Sequence, residues 1–586
     1  MHATNQNSVT KYRLRLLSIF VVLVAILIIL RLFYWQIIRG PGLSAMADRQ
    51  HQKVVILASE RGNIYDSRGE LLAGTQNLYH LYVYKPQLTK DKLEVLSAIV
   101  PILAPDPPEA SPGAKPLTRE DMVRETRDFL AGRLALDSNW VSLKHYLTPN
   151  QKKTIEAMNI TGLGFDDEFT RFYPEASLSS QVLGFVGSDL AGQPQGYFGL
   201  EGFFDRQLRG REGRILTEKD AHGAPILIGR YNLSKNIAGR SLITTINKQT
   251  QYLIESLLKD GMQKYEARAG TVIVMESATG KIIAMAAFPN YDPGHFADFN
   301  NSSYRNPNVA NLFEPGSIFK VLVMAAALNE KVITPETICD STCNGQIAIG
   351  QYTIKTWNEK YYPGTNMADV IIHSDNTGMV FVARKLGKEK FSKYLSAFGL
   401  GKLTGIQLQD EAAGNERTES NLKDVDLATN SFGQGIAITP IQMITAVNTI
   451  ANEGGLVRPT IIEKVISTDK EIPYESEPPV KVLDPETANQ MRDIMVAAVE
   501  RGESKWARPK GIQVAGKTGT AQVPIQGHYD PTKTIASFVG FFPARNPKYT
   551  VLVSLTEPQT SQWGSETAAP LWFSIANQLL LQTGDH

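Results

Sequence analysis

The sequence predicts an α+β protein in three parts: an N-terminal membrane helix, an irregular β-rich region, and a C-terminal domain whose central antiparallel sheet is flanked by helices. Three observations carry this. One apolar run lies near the N-terminus, and no second run of that length follows. Short β-like runs punctuated by turn residues then occupy the chain to about residue 238. Beyond that point, strand-like runs bracket a series of apolar helices, the pattern of one sheet built from both ends of a domain.

Lys11, Arg13 and Arg15 precede residues 16–30, which are apolar except for Ser18, and after Arg31 the run resumes over 32–38. Residues 16–30 alone would cover about 22 Å as a helix, short of a ~30 Å hydrocarbon core, whereas continuing to Ile38 reaches roughly 34 Å. We therefore expect a cytoplasmic tail over 1–15 and a single-pass anchor over 16–38, with Arg31 snorkelling or near the outer interface. The basic flank and Tyr34-Trp35 at the far end put the body of the protein outside the cytoplasm. Ala45-Met46-Ala47 looks like a signal-peptide processing site but lies too far beyond the apolar run. With 60 Lys+Arg against 59 Asp+Glu, and 42% hydrophobic residues, the body is an ordinary folded one with no basic signature for nucleic acid.

From Ala47 to Ala238 the β-like runs are 54–57 and 79–84, and we find no sustained helical periodicity. Residues 101–116 hold six prolines and read as a surface loop. Farther on, 242–246 is strand-like and 249–261 has helical spacing. Residues 271–275 and 281–286 form a hairpin around Ser277-Ala278-Thr279-Gly280. Long apolar helices follow, then strands over 535–541 and 549–555 and an amphipathic helix over 568–581.

The chemistry concentrates in three places. Glu314-Pro315-Gly316-Ser317-Ile318-Phe319-Lys320 opens an almost wholly apolar helix, with Ser317 in its first turn. Residues i and i+3 share a helix face, so Lys320 is expected to set its amine beside the Ser317 hydroxyl, and a serine needs such a base to become a nucleophile. The spacing alone is weak, since Ser8/Lys11, Ser256/Lys259, Ser420/Lys423 and Ser467/Lys470 repeat it. What separates Ser317 is the apolar helix, where an unpaired lysine would be costly. Ser374-Asp375-Asn376 is the second cluster, although each of its residues is also a default turn or N-cap residue. The third, Lys517-Thr518-Gly519-Thr520, should lie on a sheet edge, with Gly519 allowing close backbone approach.

In this order the three clusters resemble the S-x-x-K, S-D-N and K-T-G set of the active-site serine penicillin-recognising family. Arg61-Gly62-Asn63-Ile64-Tyr65-Asp66-Ser67-Arg68-Gly69 and Gly199-Leu200-Glu201-Gly202 look like the pedestal of class B penicillin-binding proteins. Ser431-Phe432-Gly433-Gln434-Gly435, followed by Thr439-Pro440-Ile441-Gln442, looks like their transpeptidase domain. Thr439-Pro440 also reads as an N-cap with proline at the first helical position, and Gly62, Gly69 and Gly202 read as turn residues. The resemblance implies a pedestal (dimerisation-type) domain over 39–238, a transpeptidase domain over 239–586, and residence in the bacterial inner membrane with the catalytic domain periplasmic.

It also implies acyl transfer without a cofactor or metal. Ser317 attacks the D-Ala-D-Ala carbonyl of a peptidoglycan stem peptide, D-Ala leaves, and an amine of a neighbouring stem resolves the ester into a 4,3-type cross-link. Lys320 would be the base, held neutral by burial and by the Lys517 charge. Ser374 would relay the proton and Asn376 would hold the substrate amide. Lys517, Thr518 and Thr520 would face the terminal carboxylate, with Gly519 between them, and the N–H groups of Ser317 and Thr520 would form the oxyanion hole.

The anchor and pedestal argue against a soluble β-lactamase, and the scarcity of helix before residue 238 argues against a bifunctional synthase. A D,D-carboxypeptidase, an elongation-type transpeptidase and a silent scaffold that activates a glycan polymerase are the alternatives. Asn308 to Phe313, Glu557-Pro558, Trp563-Gly564 and Ala568-Ala569-Pro570 look more like the septal (FtsI-like) branch. That branch implies as partners a multi-span SEDS-family (FtsW-like) glycosyltransferase and other division proteins, besides penicillins and stem peptides. Cys339 and Cys343 leave three readings open: a local disulfide, free thiols, or a zinc site with Asp340 or His373.

Overall fold

The computed structural model describes residues 5–57, 59–107, 116–218, 232–415, 418–467, 470–508, 511–525 and 528–583. They fall into two compact units: the residues up to 59 together with 211–237, and 60–210 together with 238 onward.

In the smaller unit the helix Asn5–Phe33 runs on as a π-helical turn, Tyr34–Ile38. The stretch Thr10–Ile38 is long and apolar enough to cross a membrane. Leu16, Phe20, Leu27 and Ile38 stand exposed along it, a surface suited to lipid rather than water. A helix Gly40–His51 follows, and Gln52–Leu57, Gly213–Glu218 and Asn232–Ser234 form a three-stranded antiparallel sheet.

The first part of the larger unit is a seven-stranded sheet in which Leu71–Tyr84 pairs with both Trp140–Leu147 and Leu163–Phe172. Contrary to the expectation of a helix-poor region, Lys92–Leu103, Arg119–Ala135 and Pro149–Glu156 are helices. Their buried Val95, Leu96, Ile99, Val100, Leu130 and Ile155 pack on Leu81, Val83, Val141 and Leu143 of the sheet. The positions 95, 96, 99, 100 and 103 do carry a helical stripe, whereas Arg119–Ala135 buries only Met122, Leu130 and Leu134 on a mostly charged helix. Pro101 belongs to the first of these helices rather than to a loop, and 108–115 of the proline-rich stretch lie outside the described residues.

The pedestal-like motifs meet in a buried ion cluster. Arg61 Nε donates to Glu201 Oε2 at 2.7 Å and its NH1 to Asp205 Oδ1 at 2.8 Å, while Arg171 Nε reaches Glu201 Oε1 at 2.5 Å. Glu201 is fully buried, and its two oxygens pair with two nearly buried guanidinium groups, Asp205 supplying the second negative charge. Glu201→Ala should therefore cost about 3–5 kcal/mol, read as a lowered unfolding midpoint, because both arginines lose a buried partner. Of the three glycines read as turns, Gly69 has φ 85° and is one. Gly62 and Gly202 are instead sites of close approach: a Cβ at Gly62 would sit 1.9 Å from the Arg240 carbonyl oxygen, and one at Gly202 would sit 1.7 Å from Gln409 Oε1.

The strand Ser241–Thr244 joins this same sheet, pairing with Ile64–Tyr65 and Ile462–Ser467, and not the sheet of the C-terminal region. That second sheet contains β1 (Ala269–Glu276), β2 (Ile282–Phe288), β3 (Ala515–Ile525), β4 (His528–Phe542) and β5 (Tyr549–Thr556) in the order β2-β1-β5-β4-β3, antiparallel throughout. Its strands alternate between two cores, as the period of two requires. Val272, Val274, Phe538 and Val551 face the helices α1 (Lys248–Tyr265) and α6 (Ala568–Thr583). Ile273, Met275, Val539 and Leu552 face the helices α2 (Lys320–Asn329), α3 (Asn376–Leu386), α4 (Pro440–Ala451) and α5 (Pro485–Arg501). Thr439 is the N-cap of α4, accepting from Gln442 N, with Pro440 at the first helical position.

Candidate active site

Ser317 does not sit in the first α-helical turn. It lies on a tighter 3-10 turn, Gly316–Phe319, directly before α2. Gly316 has φ 58°, and its N–H donates to the Gly433 carbonyl at 3.0 Å. Gly433 itself has φ 81°, and a Cβ there would lie 2.1 Å from the Gly316 oxygen, so the backbone at Gly433 braces the serine turn by direct contact. On the other side the turn packs on β3, where a Cβ at Gly519 would come within 2.8 Å of Ile318 Cγ2. The Ser317 hydroxyl is half-buried, and among the described residues no hydrogen bond holds it.

Lys320 is fully buried at the start of α2. Its amine does not bond to Ser317, as i to i+3 spacing suggested; it contacts the Ser374 carbonyl at 2.6 Å, the Asn376 Oδ1 at 2.8 Å and the Ser374 Oγ at 3.2 Å. Burial pulls this amine down to about 7; the Lys517 ammonium pushes the same way, and Asp375 and Glu503 oppose it. Ser374 holds a left-handed φ of 56° and is 2% exposed, while Asp375 caps α3 by accepting from Thr377 and Gly378 N–H groups. The cap and the site are thus one structure: the α3 N-terminus aims Ser374 and Asn376 at the lysine. Asn376 Nδ2 is anchored on the Lys355 carbonyl at 2.9 Å, which leaves one amide proton unused.

The edge position of Lys517 to Thr520 is as expected, since among the described residues β3 pairs only with β4. Lys517 is 3% exposed, and its amine contacts the Thr518 carbonyl and Oγ1, both at 3.1 Å. Thr518 Oγ1 donates in turn to Glu503 Oε2 at 3.2 Å, so its single proton is already committed. Thr520 Oγ1 accepts the Gly564 N–H at 3.0 Å and keeps its own proton to give. Sequence reasoning missed Glu503 and Lys355 as site neighbours, and read Gly564 only as a branch marker; Glu503 lies far from the three clusters, Lys355 and Gly564 act through backbone, and no spacing rule points to them. Cys339 and Cys343 are bonded to each other, which removes the free-thiol and zinc readings.

This fold and constellation have known counterparts. The family model of the penicillin binding protein transpeptidase domain matches residues 270–580, and that of the penicillin-binding protein dimerisation domain matches 56–244. The chain belongs to the penicillin-binding protein transpeptidase family, in the class B form that its motifs resemble. It is 29% identical to the stage V sporulation protein D of Bacillus subtilis, over 99% of this chain and 87% of that one. It is 28% identical to the peptidoglycan D,D-transpeptidase FtsI of Buchnera aphidicola, over 98% and 96%. Among solved structures, penicillin binding protein 2X from Streptococcus thermophilus superposes with a TM-score of 0.75 at 25% identity, covering 90% of this chain and 80% of that one.

Proposed function

We propose that this protein is a membrane-anchored peptidoglycan D,D-transpeptidase that works through a Ser317 acyl-enzyme and is the target of penicillins. The observation that carries this is the convergence of the serine turn, the α3 N-terminus and the β3 edge around one buried amine of lowered basicity. A neutral amine has two protons, which the Ser374 carbonyl and Asn376 Oδ1 take up; its lone pair is left for a hydroxyl. Lys320 accepts the Ser317 proton as the oxygen attacks the D-Ala-D-Ala carbonyl. Ser374 Oγ, 3.2 Å away, carries it on to the leaving amine. The free Asn376 amide proton binds the stem-peptide backbone, the Ser317 and Thr520 N–H groups receive the oxyanion, and Gly519 keeps those two elements close. An incoming amine then reverses the path and yields the cross-link.

Lys517 and the free Thr520 proton hold the terminal carboxylate, with Thr518 orienting the lysine. Lys517→Ala should slow acylation by carboxylate-bearing penicillins tens- to thousands-fold, the worth of a buried charge-assisted contact of about 2–5 kcal/mol. An analogue without the carboxylate should lose much less. Equal losses for both ligands would assign Lys517 to tuning Lys320 alone.

In this reading residues 39–238 are the pedestal and 239–586 the catalytic domain, held outside the cytoplasm by the anchor at 16–38. The Cys339–Cys343 disulfide supports the oxidising side. The likeness to a protein named FtsI supports septal wall synthesis beside a SEDS-family glycosyltransferase. Incubating the full chain with a D-Ala-D-Ala stem peptide and an amine acceptor tests the activity. Cross-linked product supports the transpeptidase, whereas D-Ala release with only hydrolysed peptide would make it a carboxypeptidase.

A further inference from the structure

Glu503 has no place in the acyl-transfer steps above, yet it is built into the site. Directly past the end of α5, the chain turns at Gly502, where a Cβ would lie 2.3 Å from the Ala498 oxygen and 3.0 Å from the Ile372 oxygen. The absent side chain lets this loop pass against the segment that carries Ser374 and delivers Glu503 to β3. There Oε2 accepts from Thr518 Oγ1, whose oxygen also receives the Lys517 amine at 3.1 Å. The other oxygen, Oε1, is buried and has no hydrogen-bond partner among the described residues. An unpartnered carboxylate oxygen in such a place costs stability unless a nearby charge compensates it.

We propose that Glu503 is a positioning residue: through Thr518 it fixes the Lys517 amine, and its negative charge makes Lys517 the cation of the pair so that Lys320 can be the base. Two buried lysines near each other cannot both stay charged cheaply, and the acyl transfer needs them to differ. The charged groups that act on Lys320 are Lys517, Asp375 and Glu503; on Lys517 it is Glu503. Burial lowers the proton affinity of Lys517, and Glu503 raises it again. Lys517 then carries the charge that depresses Lys320.

The inference rests on the transpeptidase reading, so its test begins with a full-length protein shown to label with penicillin; a parent that does not label overturns that reading and leaves nothing for Glu503 to tune. Glu503→Gln keeps the Thr518 hydrogen bond and removes the charge. The acylation rate should follow a bell-shaped pH profile in the parent, rising as Lys320 becomes neutral and falling as Lys517 does. In Glu503→Gln the falling limb should move about one unit toward acid, a deficit that grows with pH to about tenfold on the alkaline side. Glu503→Asp, which keeps the charge, should restore the limb. If Glu503→Gln lowers the unfolding midpoint but leaves the profile where it was, or if Gln and Asp shift it equally, the charge role is wrong.

Discussion

Replacing Ser317 by alanine is expected to end covalent penicillin labelling, a loss on the order of a million-fold in rate, because no other group can form the ester. The variant should fold. Ser317 is half-buried and its hydroxyl carries no hydrogen bond among the described residues, so removing it changes stability by within about 0.5 kcal/mol. Lys320, Ser374 and Asn376 keep their mutual contacts, and ligand binding without acylation should survive. The comparison to make is the yield of fluorescent-penicillin adduct on denaturing gels against the thermal midpoint of each protein. Persistent labelling of a folded Ser317→Ala variant would move the nucleophile elsewhere.

The second large effect concerns Lys320. Arginine in its place can still donate to the Ser374 carbonyl and the Asn376 oxygen, but it stays protonated and cannot accept the serine proton. Lys320→Arg should therefore slow acylation roughly 100- to 10,000-fold, the usual worth of a positioned general base. The parent supplies a second readout. With the amine pulled down to about 7, the neutral fraction falls about tenfold per pH unit below that value, so acylation should rise with pH up to about 7, the acid limb of the bell-shaped profile. The arginine variant should lose that inflection. As Arg is bulkier and the position is fully buried, Lys320→Met serves as a folded control without a base, and it should be equally slow. A variant that acylates at close to the parent rate would remove Lys320 from the mechanism.

Much of this site is legible in the sequence because its parts are local. The apolar run after Lys320, the capping chemistry of Asp375 and the strand context of Lys517 each announce an element, and the order of the three motifs carries the resemblance that implies a serine acyltransferase. The parts that escaped are set by tertiary contact. Gly316 and Gly433 interlock across more than a hundred residues and turn the expected helical start into a 3-10 turn. The Lys320 amine is taken instead by the Ser374 carbonyl and the Asn376 oxygen, 54 and 56 residues farther along the chain, which no local spacing could name. The strand at 241–244 reads correctly as a strand, but its partners at 64–65 and 462–467 decide its sheet, and alternation alone cannot name partners. Arg61 and Glu201 stand in two motifs whose mutual contact is invisible until the chain folds. The helix at 119–135 was hidden by its own charge, since three buried side chains on a long polar helix make a faint stripe.

Where penicillin ends up on the protein tests the Ser317 acyl-enzyme most directly. Treating the full-length protein with a penicillin, digesting it and mapping the adduct by mass spectrometry should give one modified peptide, containing Ser317, in one-to-one stoichiometry with protein. An adduct on Ser374, or on any serine outside the Gly316–Phe319 turn, would contradict it.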